Sequence, residues 1–249
     1  MAKKKKKRKK DLFKKIIWFE KRISYDIDFF ELLQPQRIVS SHPRYLSGKF
    51  YSEKCGREIQ YESGLELDFI RFLEKSDRVR FYFEQPVQVR YWRGRRKQTY
   101  TPDFGVLLDT NEFVIVEVKD LAGMAESKVQ MRIEGLLDFC SQRGFGLLLT
   151  NGKETIEKIN KTRRNRPFEK AVLRAVESQV LRKRECRELM KTHQATQNEL
   201  LKIILKNNLQ FNSYPFKLQR GNTCEVFRHV FIDKKKYEDY DFFKELTWL

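Results

Sequence analysis

Two carboxylates and one ammonium stand where apolar strands would otherwise run uninterrupted. In Tyr100 to Asp120, YTPDFGVLLDTNEFVIVEVKD, the runs Phe104-Gly-Val-Leu-Leu108 and Phe113-Val-Ile-Val-Glu-Val-Lys119 have the branched and aromatic composition of buried strands, joined by a turn at Asp109-Thr-Asn111. Side chains alternate along a strand, so Glu117 and Lys119 share one face while Val116 and Val118 take the other. Asp103 opens the first strand. If the turn closes a hairpin, Asp103, Glu117 and Lys119 converge at one end of the sheet. A hard cation such as Mg²⁺, or Mn²⁺ in its place, takes oxygen ligands from such carboxylates and keeps waters. An ion held in this way activates water for in-line displacement at phosphorus, and a neighbouring lysine orients that water or neutralises developing charge. A surface hairpin with a chance salt bridge would account for Pro102-Asp103 or Glu117-Val-Lys119 alone. The joint pattern, in two apolar strands separated by a turn, points to chemistry.

Other elements must hold this hairpin in place. From Gly64, GLELDFIRFLEK puts Leu65, Phe69, Phe72 and Leu73 on one helical face, with Ser63 as N-cap. Glu66 falls in the first turn, as a dipole-favourable surface residue or, beside Asp103 and Glu117, as a third carboxylate. Val79–Phe83 and Val87–Trp92 read as strands, and the basic turn after them carries Arg93, Arg95, Arg96 and Lys97. Those four cations suit phosphate contacts and equally suit a solvated hairpin tip. Val129, Ile133, Leu136, Leu137 and Cys140 define an amphipathic helix ending near Gly144, and Phe145–Thr150 is a buried strand. The product is an α/β fold, a mixed sheet flanked by helices. Before it, apolar residues from Leu12 to Leu33 follow a helical period that Pro35 ends, and the polar stretch Arg37 to Glu66 suits loops or short strands. A boundary falls at Asn165-Arg-Pro167. Beyond it come a helix through Phe168, Val172 and Val176, a second helix capped by Thr196 and Glu199, a strand pair near Glu225–Ile232 and an aromatic tail. Helices ahead of a small hairpin suggest a winged-helix-like α+β module.

The chain has 249 residues and a formal charge of +18, with 52 basic against 34 acidic residues. Lys3 to Lys10 is wholly basic and reads as a solvated tail, yet the rest of the chain is basic too. Such a field favours a polyanion, most often nucleic acid. Cys55, Cys140, Cys186 and Cys224 are too widely spaced for a CxxC zinc site and read as reduced thiols. No apolar run approaches the roughly 20 residues that span a bilayer, and the N-terminus has no cleavable export signal. The expectation is a cytoplasmic protein without a membrane partner. His42, His193 and His229 lie in different elements, and no Walker-type loop or Ser-His-Asp order is present.

Pro102-Asp103 with Glu117-Val-Lys119 resembles the PD-(D/E)xK nuclease superfamily. With Gly48–Arg57, Tyr61–Glu66, Glu84-Gln-Pro86 and Tyr100–Phe104, the chain over residues 37–160 looks like the TnsA endonuclease subunit of heteromeric, Tn-seven-like transposases. The resemblance implies a restriction-endonuclease-like domain over 11–165 and a C-terminal winged-helix-like domain over 166–249. It places the active site on Glu66, Asp103, Glu117 and Lys119. The metal ligands it implies are Glu66, Asp103, Glu117 and the backbone carbonyl of Val118. Some members carry Gln where this chain has Glu117. The implied activity is Mg²⁺-dependent cleavage of a strand at transposon ends in double-stranded DNA, in a bacterial cytoplasm, with a DDE-type transposase subunit, TnsB, and an AAA+ regulator, TnsC. A standalone nuclease of restriction, repair or junction resolution, and a noncatalytic basic DNA-binding assembly protein, remain the alternatives.

Overall fold

The computed structural model describes residues 11–24, 46–93, 96–221 and 224–241. In chain order, strands β1 (Gly48–Ser52) and β2 (Arg57–Tyr61) form a hairpin, followed by helix α1 (Gly64–Glu74) and strand β3 (Val79–Glu84). A second hairpin, β4 (Val89–Arg93) and β5 (Arg96–Tyr100), precedes β6 (Phe104–Leu108) and β7 (Phe113–Val118). Then come α2 (Leu121–Ala125), α3 (Ser127–Arg143), β8 (Gly146–Thr150) and α4 (Glu157–Asn160). The C-terminal part contains α5 (Arg166–Ser178), α6 (Lys183–Thr192), α7 (Gln197–Lys206), the hairpin β9 (Gln210–Ser213) and β10 (Phe216–Gln219), and α8 (Glu225–Phe231).

The central sheet runs β3-β6-β7-β8, with β7 and β8 parallel and the other pairs antiparallel. A parallel neighbour requires a crossover, and α3 supplies it. Alternation along β6 and β7 divides the core in two. Phe104, Val106, Val114 and Val116 pack towards α1 with Phe69, Ile70 and Leu73, whereas Leu107, Phe113 and Ile115 pack towards α3 with Ile133 and Leu137. Local signals set the flanking helices. Ser63 Oγ accepts from Glu66 N at the start of α1, and Gly144, at φ 71°, takes the left-handed turn that ends α3. Thr196 and Glu199 form the expected capping box of α7.

Two expectations are corrected. Leu12 to Leu33 was expected to be helical, but only Leu12–Lys15 makes a 3₁₀ turn and residues 16–24 form no helix, meeting the sheet through isolated bridges at Ile17 and Ser24, while 25–45 lie outside the described residues. The reason is tertiary. The outer edge of β8 offers unpaired groups, and Ile17 N donates to Leu147 O at 2.9 Å while Leu147 N donates to Ile17 O at 3.0 Å. The second correction concerns the strand pair near Glu225–Ile232, which is the helix α8; the hairpin lies earlier, at β9–β10. Val226, Phe227, Val230 and Phe231 are buried at helical spacing, and Glu134 on α3 accepts from Phe227 N at 2.9 Å, satisfying the first turn.

Helix α5 begins at Arg166, with its N-cap Asn165 accepting from Phe168 N at 3.2 Å. The C-terminal part rests on α3: Ser127 Oγ accepts from Phe211 N at 3.0 Å, and Phe211, Leu218 and Phe227 join the apolar cluster that contains Ile133 and Leu137. Leu181, in the connection from α5 to α6, pairs with Leu218 of β10 as an isolated bridge. In the aromatic tail, Tyr237 is buried edge-on against Phe19 and Tyr240 lies edge-on to His229. Residues 242–249 of that tail are outside the described residues, as is His42. All four cysteines are free.

Candidate active site

The β6–β7 hairpin has the expected register. Phe104 faces Val116 and Gly105 faces Ile115, which brings Asp103 beside Glu117 one step beyond the paired residues. Asp103 is fixed from both ends of its residue: its carbonyl accepts from Gln85 N at 2.9 Å, and its Oδ2 accepts from Val118 N at 2.7 Å. Lys119 turns its ammonium back over the pair. Nζ lies 2.9 Å from Glu117 Oε1, 3.5 Å from Asp103 Oδ2 and 3.1 Å from the Val118 carbonyl oxygen. Three of the four oxygen donors expected to surround a metal therefore already surround one cation, the lysine's own.

Burial sets the electrostatics. Glu117 is 1% exposed, and its carboxylate is met by the Lys119 ammonium at 2.9 Å and by the Tyr100 hydroxyl. Burial first, and then the charge of Glu117, lift the Asp103 carboxyl to about 7. Burial and then Asp103 lift Glu66 to about 7 as well. For Lys119, burial works against the charged form, but Glu117 and Asp103 outweigh it and push the ammonium above its ordinary value. Tyr100 is raised by burial and then by Glu117.

Glu66, Asp103 and Lys119 line one polar cleft of about 370 Å³. Glu66 is nevertheless committed to its own helix: Oε2 accepts from Glu62 N at 2.6 Å and Oε1 from Ser63 Oγ at 2.9 Å. Among the described residues no group of three or more His, Cys, Asp or Glu side chains is arranged to hold a metal ion. What the site offers is two carboxylates and the Val118 carbonyl, all hard oxygens, one carboxylate buried and held by a lysine ammonium. That donor set fits a hard divalent cation such as Mg²⁺ or Mn²⁺.

The chain matches no family model and no curated protein sequence.

Three residues of the cleft were given no role from sequence, although Glu84-Gln-Pro86 was among the segments carrying the resemblance. Glu84 is buried and takes a two-point ion pair from Arg57, at 2.8 and 3.2 Å, fastening β2 to β3 at the cleft. Gln85 is 8% exposed, holds a left-handed φ of 52°, and leaves its Oε1 without a partner. Its signal was a polar pair, Glu84-Gln85, ending an apolar strand before Pro86. Arg132 on α3 reaches the cleft with its guanidinium 4.4 Å from the Tyr100 ring centre. Its signal was a cation three residues after Val129 and four before Leu136, on the flank of an apolar stripe.

Of the basic turn, Arg93 pairs with Arg96 in the β4–β5 register, Trp92 pairs with Lys97, and residues 94–95 are outside the described residues. Arg90, Trp92, Lys97 and Thr99 are exposed, and Lys97 Nζ sits 5.1 Å from the Trp92 ring centre. Thr99 and Tyr100 at the base of this hairpin line the cleft. Among the described residues no helix is long and apolar enough to cross a membrane.

Proposed function

We propose that this chain is a Mg²⁺-dependent DNA endonuclease with a restriction-endonuclease-like core. The observation that carries the reading is the convergence of Asp103, Glu117 and Lys119 at the end of a buried hairpin, at the edge of a polar cleft. Asp103, Glu117 and the Val118 carbonyl would hold the cation, with Glu66 completing the set once released from its capping bonds. A divalent cation bound there supplies Lewis acidity and a water of lowered pKa. Glu117 and Asp103 keep Lys119 charged, so its ammonium is available to orient the attacking water or offset charge developing on the phosphate. The exposed cations of the β4–β5 hairpin lie along an arm that leads into the cleft, which suits a duplex backbone held beside the site.

The finer reading is a TnsA-type subunit that cuts transposon ends together with TnsB and TnsC. The C-terminal order supports a winged-helix-like module: α5, the Leu181 bridge, α6, α7, then the β9–β10 hairpin. In such a module α7 holds the place of the groove-reading helix, yet here it packs on α2 and α4, and Lys202 donates to the carbonyls of Asn160 and Thr162. A helix held in that way favours docking over base readout, so sequence choice falls to partner subunits. The test is conversion of supercoiled plasmid to nicked or linear DNA, with Mg²⁺ or EDTA, alone and with the partner transposase. Cleavage that needs Mg²⁺ and is absent from Asp103→Ala is expected; equal cleavage by that variant would overturn the site.

A further inference from the structure

We infer that Arg132 is an anchoring point for a nucleic-acid backbone phosphate in this cleft, an inference that rests on the nuclease reading for its substrate. A guanidinium is always charged, and holding one out of water is costly unless an anion or hydrogen-bond acceptors meet it. The other cations of the site have such partners: Arg57 is taken by Glu84, and Lys119 by Glu117 and Asp103. Arg132 has no carboxylate within ion-pair distance among the described residues, and its Nε is buried without an acceptor. The face of the guanidinium is supported by the Tyr100 ring, 4.4 Å from its centre, at the wall of the cleft. A planar fork of donors held in this way matches two oxygens of a phosphate. The same cleft contains a second unmet atom, Gln85 Oε1, which needs a donor. A phosphodiester in the cleft supplies the anionic oxygens that the guanidinium lacks. Arg132 is thus a positioning residue for the strand, held beside the carboxylates that would do the chemistry.

The experiment measures binding of a fluorescein-labelled duplex oligonucleotide in EDTA, across a salt series, for wild type, Arg132→Gln and Arg132→Lys, with thermal melts to check folding. Arg132→Gln is expected to weaken binding about 10-fold, as for loss of a charged hydrogen bond, and to lower the slope of log K against log salt by about 0.9. Arg132→Lys should keep the slope while losing part of the affinity, because it retains the charge and loses the fork. Unchanged affinity and slope in a folded Arg132→Gln would overturn the inference, as would Arg132-dependent binding of inorganic phosphate with no binding of the oligonucleotide. Cleavage by wild type in Mg²⁺ is scored separately. A wild type that binds through Arg132 yet cuts nothing in Mg²⁺, alone or with the partner transposase, sinks the nuclease reading and leaves the phosphate contact standing.

Discussion

Asp103→Asn separates the cost of the site from its use. In the metal-free protein, burial and Glu117 raise the Asp103 carboxyl from 3.8 to about 7. A folded-state pKa above the unfolded one means that the native state binds the proton more tightly. Its contribution to stability is therefore fully present below about pH 4 and is lost as the pH rises through 7. At about 1.4 kcal/mol per unit, the loss between pH 5 and pH 8 is at most roughly 3 kcal/mol. Asparagine carries no charge at either pH and its oxygen can still accept from Val118 N, so the variant avoids that loss. In EDTA the stability of Asp103→Asn relative to wild type should therefore improve by up to about 3 kcal/mol from pH 5 to pH 8, several degrees in Tm for a chain of this size. Mg²⁺ should reverse the advantage at pH 8. A ligand at one hundred times its Kd adds about 2.7 kcal/mol to the form that binds it, and the variant has lost a ligand oxygen of full charge. Differential scanning fluorimetry at pH 5, 6.5 and 8, with EDTA and then with Mg²⁺, reads all of this without any cleavage. Parallel pH curves for the two proteins would refute the claim that Asp103 is a strained carboxylate, and equal Mg²⁺ shifts would refute its role as a ligand.

Glu117→Ala should abolish cleavage with the fold retained by circular dichroism, while Lys119→Ala should cut activity strongly with a smaller effect on the Mg²⁺-induced Tm shift. Gly135→Ala should lower Tm by an amount corresponding to about 1–3 kcal/mol despite alanine's better helix propensity, because the new Cβ would stand 2.6 Å from Tyr91 Cβ and push the β4–β5 hairpin off α3. The same variant should weaken duplex binding, measured by anisotropy. Deletion of Lys3–Lys10 should weaken nonspecific DNA binding and flatten its salt dependence by about 0.9 per lost phosphate contact, leaving the chemistry intact.

The parts of the fold legible in the sequence were those with local causes. Turn residues at Asp109–Asn111, the Ser63 cap, the Thr196 capping box and the Gly144 stop each act within a few residues, and each element they bound lies where its pattern put it. The 225–231 segment misled because Val, Phe and Ile favour strands intrinsically, whereas its buried residues repeat at helical spacing and its first turn is satisfied by Glu134, far away in sequence. Asp103, Glu117 and Lys119 were legible because charge inside an apolar strand is conspicuous. Glu66 was legible as a position on α1, but not its hydrogen bonds to Glu62 and Ser63, which depend on side-chain choice at the helix start. Arg132 looked ordinary in sequence, and the Arg132 Nε and Gln85 Oε1 became informative only when folding buried them without hydrogen-bond partners.

The pairing of Ile17 with Leu147 gives the first described segment a part in colloidal behaviour. β8 borders the sheet, and its free side would otherwise present a ladder of unanswered N–H and C=O groups to any passing strand. Ile16 and Trp18 lie so close over Gly146 that a Cβ there would meet them at 2.6 and 2.8 Å, so the cover is seated by shape as well as by backbone bonds. During synthesis the cover emerges long before the strand it protects. Between the emergence of residue 150 and the return of residue 17 there is an interval in which a neighbouring chain's extended segment can take its place. A chain shortened to begin at β1 would make that interval permanent, and edge-to-edge association would follow from the loss of a segment that takes no part in the Asp103–Glu117–Lys119 cluster.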